Sequence, residues 1–497
     1  MRALGQQAFK AHGRARIHYE RHRPEECTLY RLVQQHAATF FAQVEAATGT
    51  GLPKFVKDEF DAFLECGILA HGFLRLRCAD CAHDKLVAFS CKRRGFCPSC
   101  GARRMSETAA HLVDHVIPEV PVRQRVLSLP LPLRLLLAAQ PELITPVLQV
   151  VQRALSRYLL RQAGIKAGEG DCGSVTLIQR FGSAANLNIH LHCLVLDGVY
   201  RTNAKGAPEF VEAPPPSDEQ VWEVLQSIIK RVMKQLVRRG ILVEDQGETY
   251  LVDPDDDSDQ ARALRPLHRG SCVYRIAFGP RAGQKVLTVQ GALPREASGN
   301  QKLCANSQGF SLHAAVRCGA GQRKTLERLC RYITRPALAN DRVQINAAGQ
   351  VELKLKTPWR DGTTHQVMSP LELMQRLAAL VPRPRLHLIR FHGVLAPNAK
   401  LRAKVVPQAP AEPAQKKPSP EDGEAALDRP MRLGWAKLLK RVFNLDLEHC
   451  PNCGGELKII AAILERPAKE KILNHLGLQA RAPPRAPALG QMPLQDF

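Results

Sequence analysis

The sequence contains no hydrophobic run long enough to cross a membrane. Its most apolar stretch, Val126 to Ala139, falls short of the roughly 20 residues that a membrane-spanning helix needs, and two prolines and an arginine interrupt it. The first residues, MRALGQQAFKAHGRARIHYERHR, lack the apolar core of a signal peptide. We therefore expect a cytoplasmic protein without a membrane partner.

Acidic residues are scarce relative to basic ones. The 497 residues include 70 Lys and Arg against 47 Asp and Glu, which gives a net charge of +23 and a pI near 9.7. Such an excess makes a polyanion the expected partner, and nucleic acid the first candidate. A basic protein without such a partner is the weaker alternative. The length allows roughly two to four domains.

The cysteines do not fit a disulfide framework, because there are 15 of them and several form Cys-x-x-Cys pairs. The pairs at 78–81 and 97–100 are separated by fifteen residues, as in four-cysteine zinc sites. This spacing predicts a structural zinc site formed by Cys78, Cys81, Cys97 and Cys100. Three neighbours could each replace one ligand: Cys91, His71 and His83.

The surroundings of these cysteines are basic. Between Cys66 and Arg104 there are eight Lys or Arg and two Asp or Glu. Arg93 and Arg94 are candidates for binding DNA, because cations that neutralise phosphates release counterions. The alternative is a zinc-stabilised structural subdomain with a solvated charged face.

The segment Ile189 to Leu196 (IHLHCLVL) has the composition of a buried strand. Alternate side chains of a strand share a face, so His190 and His192 lie on the same side, about 7 Å apart at Cα. Both rings could reach one metal ion. A pair of hydrogen-bonded core histidines is the alternative, which we favour less because burying two unpartnered polar rings is costly.

A second candidate residue is Tyr332, one of only seven tyrosines. The pattern predicts a helix from Gln322 to about Thr334, ending before Pro336. Three arginines surround the tyrosine: Arg328, Arg331 and Arg335. They could hold a phosphate and stabilise a phenolate. A tyrosine at the end of a core helix is the commoner case.

The carboxy-terminal part begins with a stretch rich in Pro, Ala, Lys and Glu, from Val406 to Pro430, which predicts a linker. A basic amphipathic helix (MRLGWAKLLKRVF) and the pair Cys450 and Cys453 follow. One such pair supplies only two ligands. His449 or His475 could complete a site, or the pair could be the remnant of a degenerate site, and one pair does not establish a metal site here.

Several segments resemble bacterial rolling-circle insertion-sequence transposases. The stretch HGFLRLRCADCAHDKLVAFSCKRRGFCPSCGARRM resembles their N-terminal zinc-binding domain, and NLNIHLHCLVLDGVY resembles their His-hydrophobe-His (HUH) motif. The segments GFSLHAAVRC, LERLCRYITRPALANDRV and HLIRFHGVLAPNAKLRAKVVP resemble the regions around and after their catalytic tyrosine. The resemblance covers nearly the whole chain, with the motifs in the right order.

The resemblance implies a metal-dependent tyrosine DNA endonuclease and strand transferase. Tyr332 would form a 5′-phosphotyrosine on single-stranded DNA at element ends, and Arg328, Arg331 and Arg335 would contact DNA. His190 and His192, with an unidentified third ligand, would hold Mg²⁺ or Mn²⁺, and we expect manganese to support activity well. The partners would be element ends and target DNA in the bacterial nucleoid, and an oligomer is compatible with this.

The chain departs from the two-tyrosine members of this family at one position. They carry a second tyrosine four residues before the one that corresponds to Tyr332, where this chain has Arg328. It therefore resembles the single-tyrosine branch, which includes transposases of common-region elements. A second turnover would need another nucleophile, such as a 3′-hydroxyl, or a second subunit.

The residues alone predict an α+β protein. For residues 120–400 the resemblance implies an antiparallel sheet flanked by helices, with the histidine strand central and the tyrosine on a nearby helix. We expect a helical and zinc-binding domain over 1–118, a catalytic domain over 119–404, a linker over 405–430 and a small tail domain over 431–497.

Two other functions fit parts of the sequence. A replication initiator or relaxase-like nickase would use the same histidines and tyrosine, so only its DNA substrate would differ. A non-catalytic zinc-ribbon DNA-binding protein would keep His190, His192 and Tyr332 as core residues. A carboxylate-based transposase is disfavoured, because no convincing set of three acids lies at strand ends.

Overall fold

The computed structural model describes residues 17–18, 23–245, 248–252, 256–291, 302–408, 445–446 and 448–489. The α-helices of these residues are α1 Thr28–Thr48, α2 Lys54–Glu65, α3 Pro98–His115, α4 Leu131–Ala139, α5 Ile144–Gln162, α6 Asp218–Val237, α7 Asp259–Cys272, α8 Arg323–Thr334, α9 Pro370–Leu380, α10 Arg402–Val405 and α11 Arg466–His475. Short 3-10 helices occupy Pro24–Glu26, Leu69–His71, Pro141–Leu143 and Asn340–Arg342.

The strands of the described residues are β1 Ile17–His18, β2 Phe73–Cys78, β3 Asp84–Ala88, β4 Val122–Ser128, β5 Gly170–Asp171, β6 Gly173–Phe181, β7 Leu187–Leu196, β8 Gly198–Thr202, β9 Pro208–Glu212, β10 Leu242–Asp245, β11 Glu248–Leu251, β12 Leu287–Gln290, β13 Cys304–Ser307, β14 Phe310–His313, β15 Arg317–Cys318, β16 Val343–Ile345, β17 Val351–Lys354, β18 Thr363–Met368, β19 Ile389–Gly393, β20 Leu445–Asp446 and β21 Leu457–Ile463.

The largest sheet has seven antiparallel strands in the order β13-β14-β4-β7-β6-β19, with β15 beside β4. The histidine strand β7 lies in its interior, between β4 and β6. This confirms the predicted α+β class and the antiparallel sheet with a central histidine strand. In a smaller sheet, β5-β8-β9, the middle strand β8 follows β7 after the single residue Asp197.

The alternating side chains of β7 belong to two different cores. Ile189, Leu191, Cys193 and Val195 pack into the core that contains α4, α5 and α6. Leu194 and Leu196 point the other way and pack with α3 and α8. His190 and His192 lie on this second face, since they are separated from Leu194 by an even number of residues. The strand therefore turns its histidines towards the helix that carries Tyr332.

The N-terminal helices share a core with elements from much later in the chain. Side chains of α1 and α2 pack with α7, α9 and strands β16 to β18. Aromatic rings dominate the contact between α2 and the cysteine-rich loop, where the Phe60 and Phe96 ring centroids are 4.8 Å apart. The core thus continues across the predicted boundary at residue 118.

The carboxy-terminal tail packs on the N-terminal part of the chain. Strand β21 pairs antiparallel with β2 from Cys78↔Leu457 to Phe73↔Ile463, which extends the β2–β3 hairpin to three strands. Leu473 of α11 packs against Phe73 and Leu69. Most of the predicted linker and the predicted basic helix before Cys450 lie within 409–444, outside the described residues.

Within the part of the chain that the structure describes, no single helix has the length and apolar character of a membrane span. Only the pair Leu131–Ala139 and Pro141–Gln162, bent by 111° at the break, reaches that length and composition together.

Candidate active site and cysteine clusters

The two histidines of β7 lie side by side. Their ring centroids are 4.8 Å apart. Nδ1 of His190 lies 2.9 Å from the carbonyl oxygen of Asn188, which can only accept, so Nδ1 carries the proton and Nε2 keeps its lone pair. Burial lowers the pKa of His190 to about 4, so the ring is neutral at pH 7. A neutral imidazole with a free Nε2 lone pair is the form that binds metals.

His192 is held by a glutamine of the neighbouring strand. Its Nδ1 lies 2.8 Å from Nε2 of Gln124 on β4. An amide nitrogen only donates, so in this orientation Nδ1 of His192 accepts and Nε2 of His192 carries the proton. Rotating the Gln124 amide by 180° would let its Oε1 accept a hydrogen bond from Nδ1–H of His192, which leaves the lone pair on Nε2 of His192. The Nε2 atom of His192 is buried and has no hydrogen-bond partner among the described residues. Burial, and then the neighbouring His190, lower the pKa of His192 to about 3.

Strand register places Gln179 beside the histidine pair. Gln179 on β6 is the cross-strand partner of His190. Directly opposed residues have Cβ atoms about 4.5–5.5 Å apart, so the two side chains are neighbours. The Nε2 atom of Gln179 donates to the carbonyl oxygen of Ile333 at 2.7 Å. One amide therefore connects the strand next to His190 with the residue after Tyr332.

Tyr332 lies in the last turn of α8 and is 51% exposed. Two cations contact its ring: the Arg335 guanidinium carbon is 4.6 Å from the ring centroid, and the Lys356 Nζ atom is 3.9 Å from it. Nη1 of Arg335 also donates to the Tyr332 carbonyl oxygen at 2.8 Å. Burial, and then Arg335 and Arg342, lower the pKa of Lys356 to about 8.

Arg335 links the tyrosine to the histidines electrostatically. Its positive charge is among the causes that lower the pKa of both His190 and His192. The guanidinium carbon also lies 5.6 Å from the ring centroid of Phe181 at the end of β6. Tyr332 thus contacts Arg335, and Gln179 connects the neighbourhood of His190 with Ile333; we call these residues the histidine–tyrosine site.

The other predicted DNA contacts have different surroundings. Arg328 is exposed one helical turn before Tyr332, and Arg331 is partly buried. Arg93 is exposed in the loop before α3. Arg94 donates to the carbonyl oxygens of Leu386 and Arg383, so it also ties the cysteine-rich loop to the segment after α9.

A cavity of about 680 Å³ lies between α3, β6, the end of α8 and β19. Its basic lining residues are Arg93, Arg94, Arg104, Arg180, Arg335, His111, His115 and His387. Among the lining residues Glu107 is the one acid, and Arg103 pairs with it at 2.8 Å. Phe181 and Phe391 add aromatic surface. Because Gln179 and Arg335 belong to its wall, the cavity adjoins the histidine–tyrosine site.

The cysteines form two clusters of four. The inner cluster contains Cys66, Cys91, Cys97 and Cys100, and the outer cluster contains Cys78, Cys81, Cys450 and Cys453. In each, all four sulfur atoms lie within 4.8 Å of one another. Contacts of 3.3 to 3.7 Å join sulfurs of the inner cluster. Tetrahedral zinc with bonds of about 2.3 Å holds its sulfurs about 3.8 Å apart, so both clusters fit zinc.

This arrangement corrects the predicted quartet, because Cys78 and Cys81 lie in one cluster and Cys97 and Cys100 in the other. Cys78 and Cys81 stand at the turn of the β2–β3 hairpin, whereas Cys66 and Cys91 flank its base. The six-residue strand β2 is about 20 Å long at 3.3 Å per residue, too far for one ion to bridge. Two features of the sequence could have indicated this grouping. Cys66 precedes β2 and Cys91 follows β3, which places them with Cys97 and Cys100, and the pair Cys450 and Cys453 needed a second pair to complete a four-cysteine site.

The inner cluster is joined directly to the tyrosine helix. Cys97 is the N-cap of α3, and Cys100 lies in its first turn. Helix α3 packs on α8: Oγ1 of Thr334, which donates to the Cys330 carbonyl oxygen of its own helix at 2.7 Å, lies 3.4 Å from the Met105 carbonyl oxygen of α3. A Cβ atom at Gly101 would lie 2.6 Å from Cβ of Pro336, so the two segments approach as closely as a glycine permits.

Sequence reasoning missed Gln124, Gln179, Lys356 and the inner ligand Cys66. Gln124 and Gln179 lie beside the histidines because of the registers in which β4 and β6 pair with β7, and their local sequence does not specify these registers. Lys356 reaches Tyr332 from the loop after β17, in a stretch whose alternation indicates only a strand.

Comparison with protein families gives two matches. A family described as "Putative transposase" matches residues 173–402, which include His190, His192 and Tyr332. A family described as "Transposase zinc-binding domain" matches residues 32–129, which include all four inner-cluster cysteines with Cys78 and Cys81. Searches of curated proteins and of solved structures give no match. The two families imply a DNA-binding transposase, and the cysteine clusters support structural zinc. Together the two matches support an IS91-like rolling-circle transposase with an N-terminal zinc-binding domain.

Proposed function

We propose that this transposase nicks single-stranded DNA at the ends of its element through a 5′-phosphotyrosine on Tyr332, and that it transfers the strand in rolling-circle transposition. The observation that carries the proposal is the pair of contacts that lead from Tyr332 towards the histidine strand. Arg335 stacks on Tyr332, and Gln179, the cross-strand partner of His190, donates to the carbonyl oxygen of Ile333, the residue after Tyr332. These contacts support a site in which Tyr332 is the nucleophile, Arg335 stabilises charge, and His190 and His192 bind the metal ion.

Tyr332 is suited to the nucleophilic step. Its phenolic oxygen attacks the scissile phosphorus, the bond from phosphorus to the 3′-oxygen breaks, and the 3′-oxygen leaves as a hydroxyl once it has taken up a proton. The new bond conserves the energy of the phosphodiester, so a later strand transfer needs no separate energy source. Arg335 and Lys356 contact the ring and stabilise the negative charge that develops.

The histidine pair fits a divalent metal ion, because a buried ring nitrogen without a partner among the described residues lies beside a second neutral imidazole. His190 and His192 would hold the ion, and Gln179 is the proposed third ligand because it is the cross-strand neighbour of His190. Mg²⁺ or Mn²⁺ bound there would act as a Lewis acid on a non-bridging phosphate oxygen. Imidazole ligands favour manganese over magnesium. Gln124 and the Asn188 carbonyl orient the two rings.

The basic cavity supplies a path for the single strand. Its arginines and histidines can contact phosphates, and Phe181 and Phe391 offer surfaces for base stacking. A volume of about 680 Å³ falls within the range of small-ligand pockets, which suits a short unpaired segment. Gln179 and Arg335 belong both to the cavity wall and to the histidine–tyrosine site. A DNA strand bound in the cavity would therefore continue to Tyr332 and place its scissile phosphate there.

One tyrosine must serve the whole cycle in this proposal. Arg328, four residues before Tyr332, is an exposed cation and cannot act as a second phenolic nucleophile. The 3′-hydroxyl released by the first cleavage is therefore the proposed nucleophile for strand transfer, with a second subunit as the alternative source.

The test is a cleavage assay on single-stranded DNA carrying an element end, with Mn²⁺ or Mg²⁺. The wild type should form a protein–DNA adduct that resists denaturant, and Tyr332→Phe should abolish it. Tyr250→Phe is the matched control, because Tyr250 is 52% exposed, close to the 51% of Tyr332. His190→Ala should also lose the adduct. An adduct that persists in Tyr332→Phe would reject this nucleophile. Tight binding without cleavage at every end and with either metal would favour the non-catalytic alternative.

A further inference from the structure

We propose that Cys78, Cys81, Cys450 and Cys453 bind a second structural zinc ion, which fastens the carboxy-terminal tail to the N-terminal zinc-binding domain. Cys450 and Cys453 lie outside the residues matched by either family, so neither match assigns this site. The inference stands on the cysteine geometry and the packing of the tail, and it does not depend on the nicking mechanism.

The four sulfurs are already arranged as pairs across the two ends of the chain. Sγ of Cys78 lies 3.4 Å from Sγ of Cys453, and Sγ of Cys81 lies 3.5 Å from Sγ of Cys450. These distances far exceed the approximately 2.05 Å of a disulfide bond. They are close to the approximately 3.8 Å expected between sulfurs that share a tetrahedral zinc ion.

The two Cys-x-x-Cys turns have the same backbone design. In the first, the Cys78 amide donates to the His83 carbonyl oxygen at 2.9 Å, and Ala82 has φ of 58°. In the second, the Cys450 amide donates to the Gly455 carbonyl oxygen at 2.7 Å, and Gly454 has φ of 77°. In both turns the residue after the second cysteine is left-handed, which closes the loop and directs both sulfurs to one side.

The two turns also touch each other directly. Nδ2 of Asn452 lies 3.3 Å from Nδ1 of His83. A Cβ atom at Gly455 would overlap a carboxylate oxygen of Asp80 and lie 3.1 Å from the sulfur of Cys78. A side chain at that position would push the turns apart, so Gly455 permits the approach that four-fold coordination needs.

The rest of the tail follows the same surface. Strand β21 pairs with all six residues of β2, and Leu457 packs with Leu76 beside the cysteines. Further along, Arg485 pairs with Asp61 at 2.5 Å, and Nε2 of Gln34 donates to the Pro484 carbonyl oxygen at 2.5 Å. The ion would lie at one end of this contact and fix its register.

Closing the chain here joins residues 369 positions apart, from Cys81 to Cys450. A link across so long a loop restricts the unfolded chain strongly in the loop-entropy account. The proposed ion therefore adds to a docking that otherwise rests on the β2–β21 and β1–β20 pairings, on the packing of Leu473 against Phe73 and Leu69, and on surface contacts.

The first test counts zinc in the purified full-length protein. We expect two zinc ions per chain in the wild type and one in Cys450→Ser/Cys453→Ser. The matched control is Cys172→Ser/Cys304→Ser, which removes two partly buried thiols outside both clusters and should keep two ions. One ion per chain in both the wild type and Cys450→Ser/Cys453→Ser would overturn the proposal.

The second test measures the fastening itself. A protease site is inserted into the linker that the sequence predicts over 405–430, and the full chain is then cleaved. In the cleaved wild type the tail fragment should elute with the larger fragment on size exclusion. In the cleaved Cys450→Ser/Cys453→Ser variant the two fragments should elute separately even without a chelator. Separation of the wild-type tail in the presence of zinc would overturn the proposal. So would retention of the tail in the double variant to the same extent as in the wild type.

Discussion

The two cysteine clusters have the same ligand set and very different surroundings. In the inner cluster three of the four cysteines are buried and the fourth is partly buried, and all four lie within 35 consecutive residues, 66–100. In the outer cluster two cysteines are exposed, and the ligands come from opposite ends of the chain. The inner cluster adjoins α3 and hence the tyrosine helix, whereas the outer one lies between the β2–β3 hairpin and the tail. We infer that the surrounding contacts, not the ligands, determine which function each metal supports.

The largest effect is expected from removing the inner cluster. Cys97→Ser/Cys100→Ser should lose one zinc ion and its cooperative thermal unfolding, because structural zinc in small domains contributes on the order of 10 kcal/mol. Adduct formation should fall by more than about 100-fold, because α3 packs on α8 and a displacement of about 1 Å at a reacting group can cost about 100-fold in rate. Zinc content, thermal denaturation and adduct yield measure this. Cys450→Ser/Cys453→Ser, the comparison variant, should keep adduct formation within about threefold. Equal losses in both variants would remove the distinction between the clusters.

A subtler change should separate zinc binding from the positioning of Tyr332. Gly101→Ala places Cβ 2.6 Å from Pro336 and should shift the end of α8 without touching a zinc ligand. Because a displacement of about 1 Å can cost about 100-fold in rate, adduct formation should fall about 10- to 100-fold with zinc content unchanged. Gly321→Ala is the control, since its Cβ meets nothing within 4 Å. Similar rates in the two variants would show that α3 does not position Tyr332.

The contribution of Lys356 is expected to be smaller. Lys356→Met should lower adduct formation about tenfold, the scale of a partly desolvated cation–aromatic contact. Its pKa of about 8 means that the ammonium is present below pH 8 and lost above it. The wild-type rate should therefore fall as the pH rises through about 8, and Lys356→Arg should remove that decline because arginine stays protonated. The measurement is the rate of adduct formation against pH for the wild type and for Lys356→Arg. Identical profiles for these two proteins would exclude a role for the Lys356 charge.

The smallest effect is expected at the far end of the tail. Arg485→Ala removes a surface pair with Asp61 and should lower the free energy of unfolding by less than about 1 kcal/mol. After linker cleavage the tail should still remain attached. Denaturant unfolding and size exclusion measure the two quantities. Release of the tail by this single substitution would show that surface charge, rather than the outer cluster, maintains the docking.

Local patterns in the sequence were sufficient for several elements. Strict alternation placed His190 and His192 on one face of a strand, and the proline after Thr334 ended the tyrosine helix where the structure ends it. The antiparallel setting of the histidine strand came from the family resemblance and is confirmed. The catalytic roles of Tyr332 and the histidines remain predictions.

Long-range pairing explains what the sequence did not reveal. Gln124 and Gln179 reach the histidines only through the registers of β4 and β6 on β7. The partners of Cys78 and Cys81 lie beyond the linker, and no spacing rule joins ligands so far apart. The predicted quartet failed because spacing was counted along the chain, whereas a hairpin separates its turn from its base in space.

The pairing of β21 with β2 has a consequence for shortened copies of this protein. The tail covers the outer edge of the β2–β3 hairpin, so a chain that ended before β21 would expose the backbone amides and carbonyls of β2. Bare strand edges promote edge-to-edge association between copies. Leu74 and Leu76 would be exposed together with that edge. Frameshifted or truncated products of the element are therefore expected to self-associate through their zinc-binding domains.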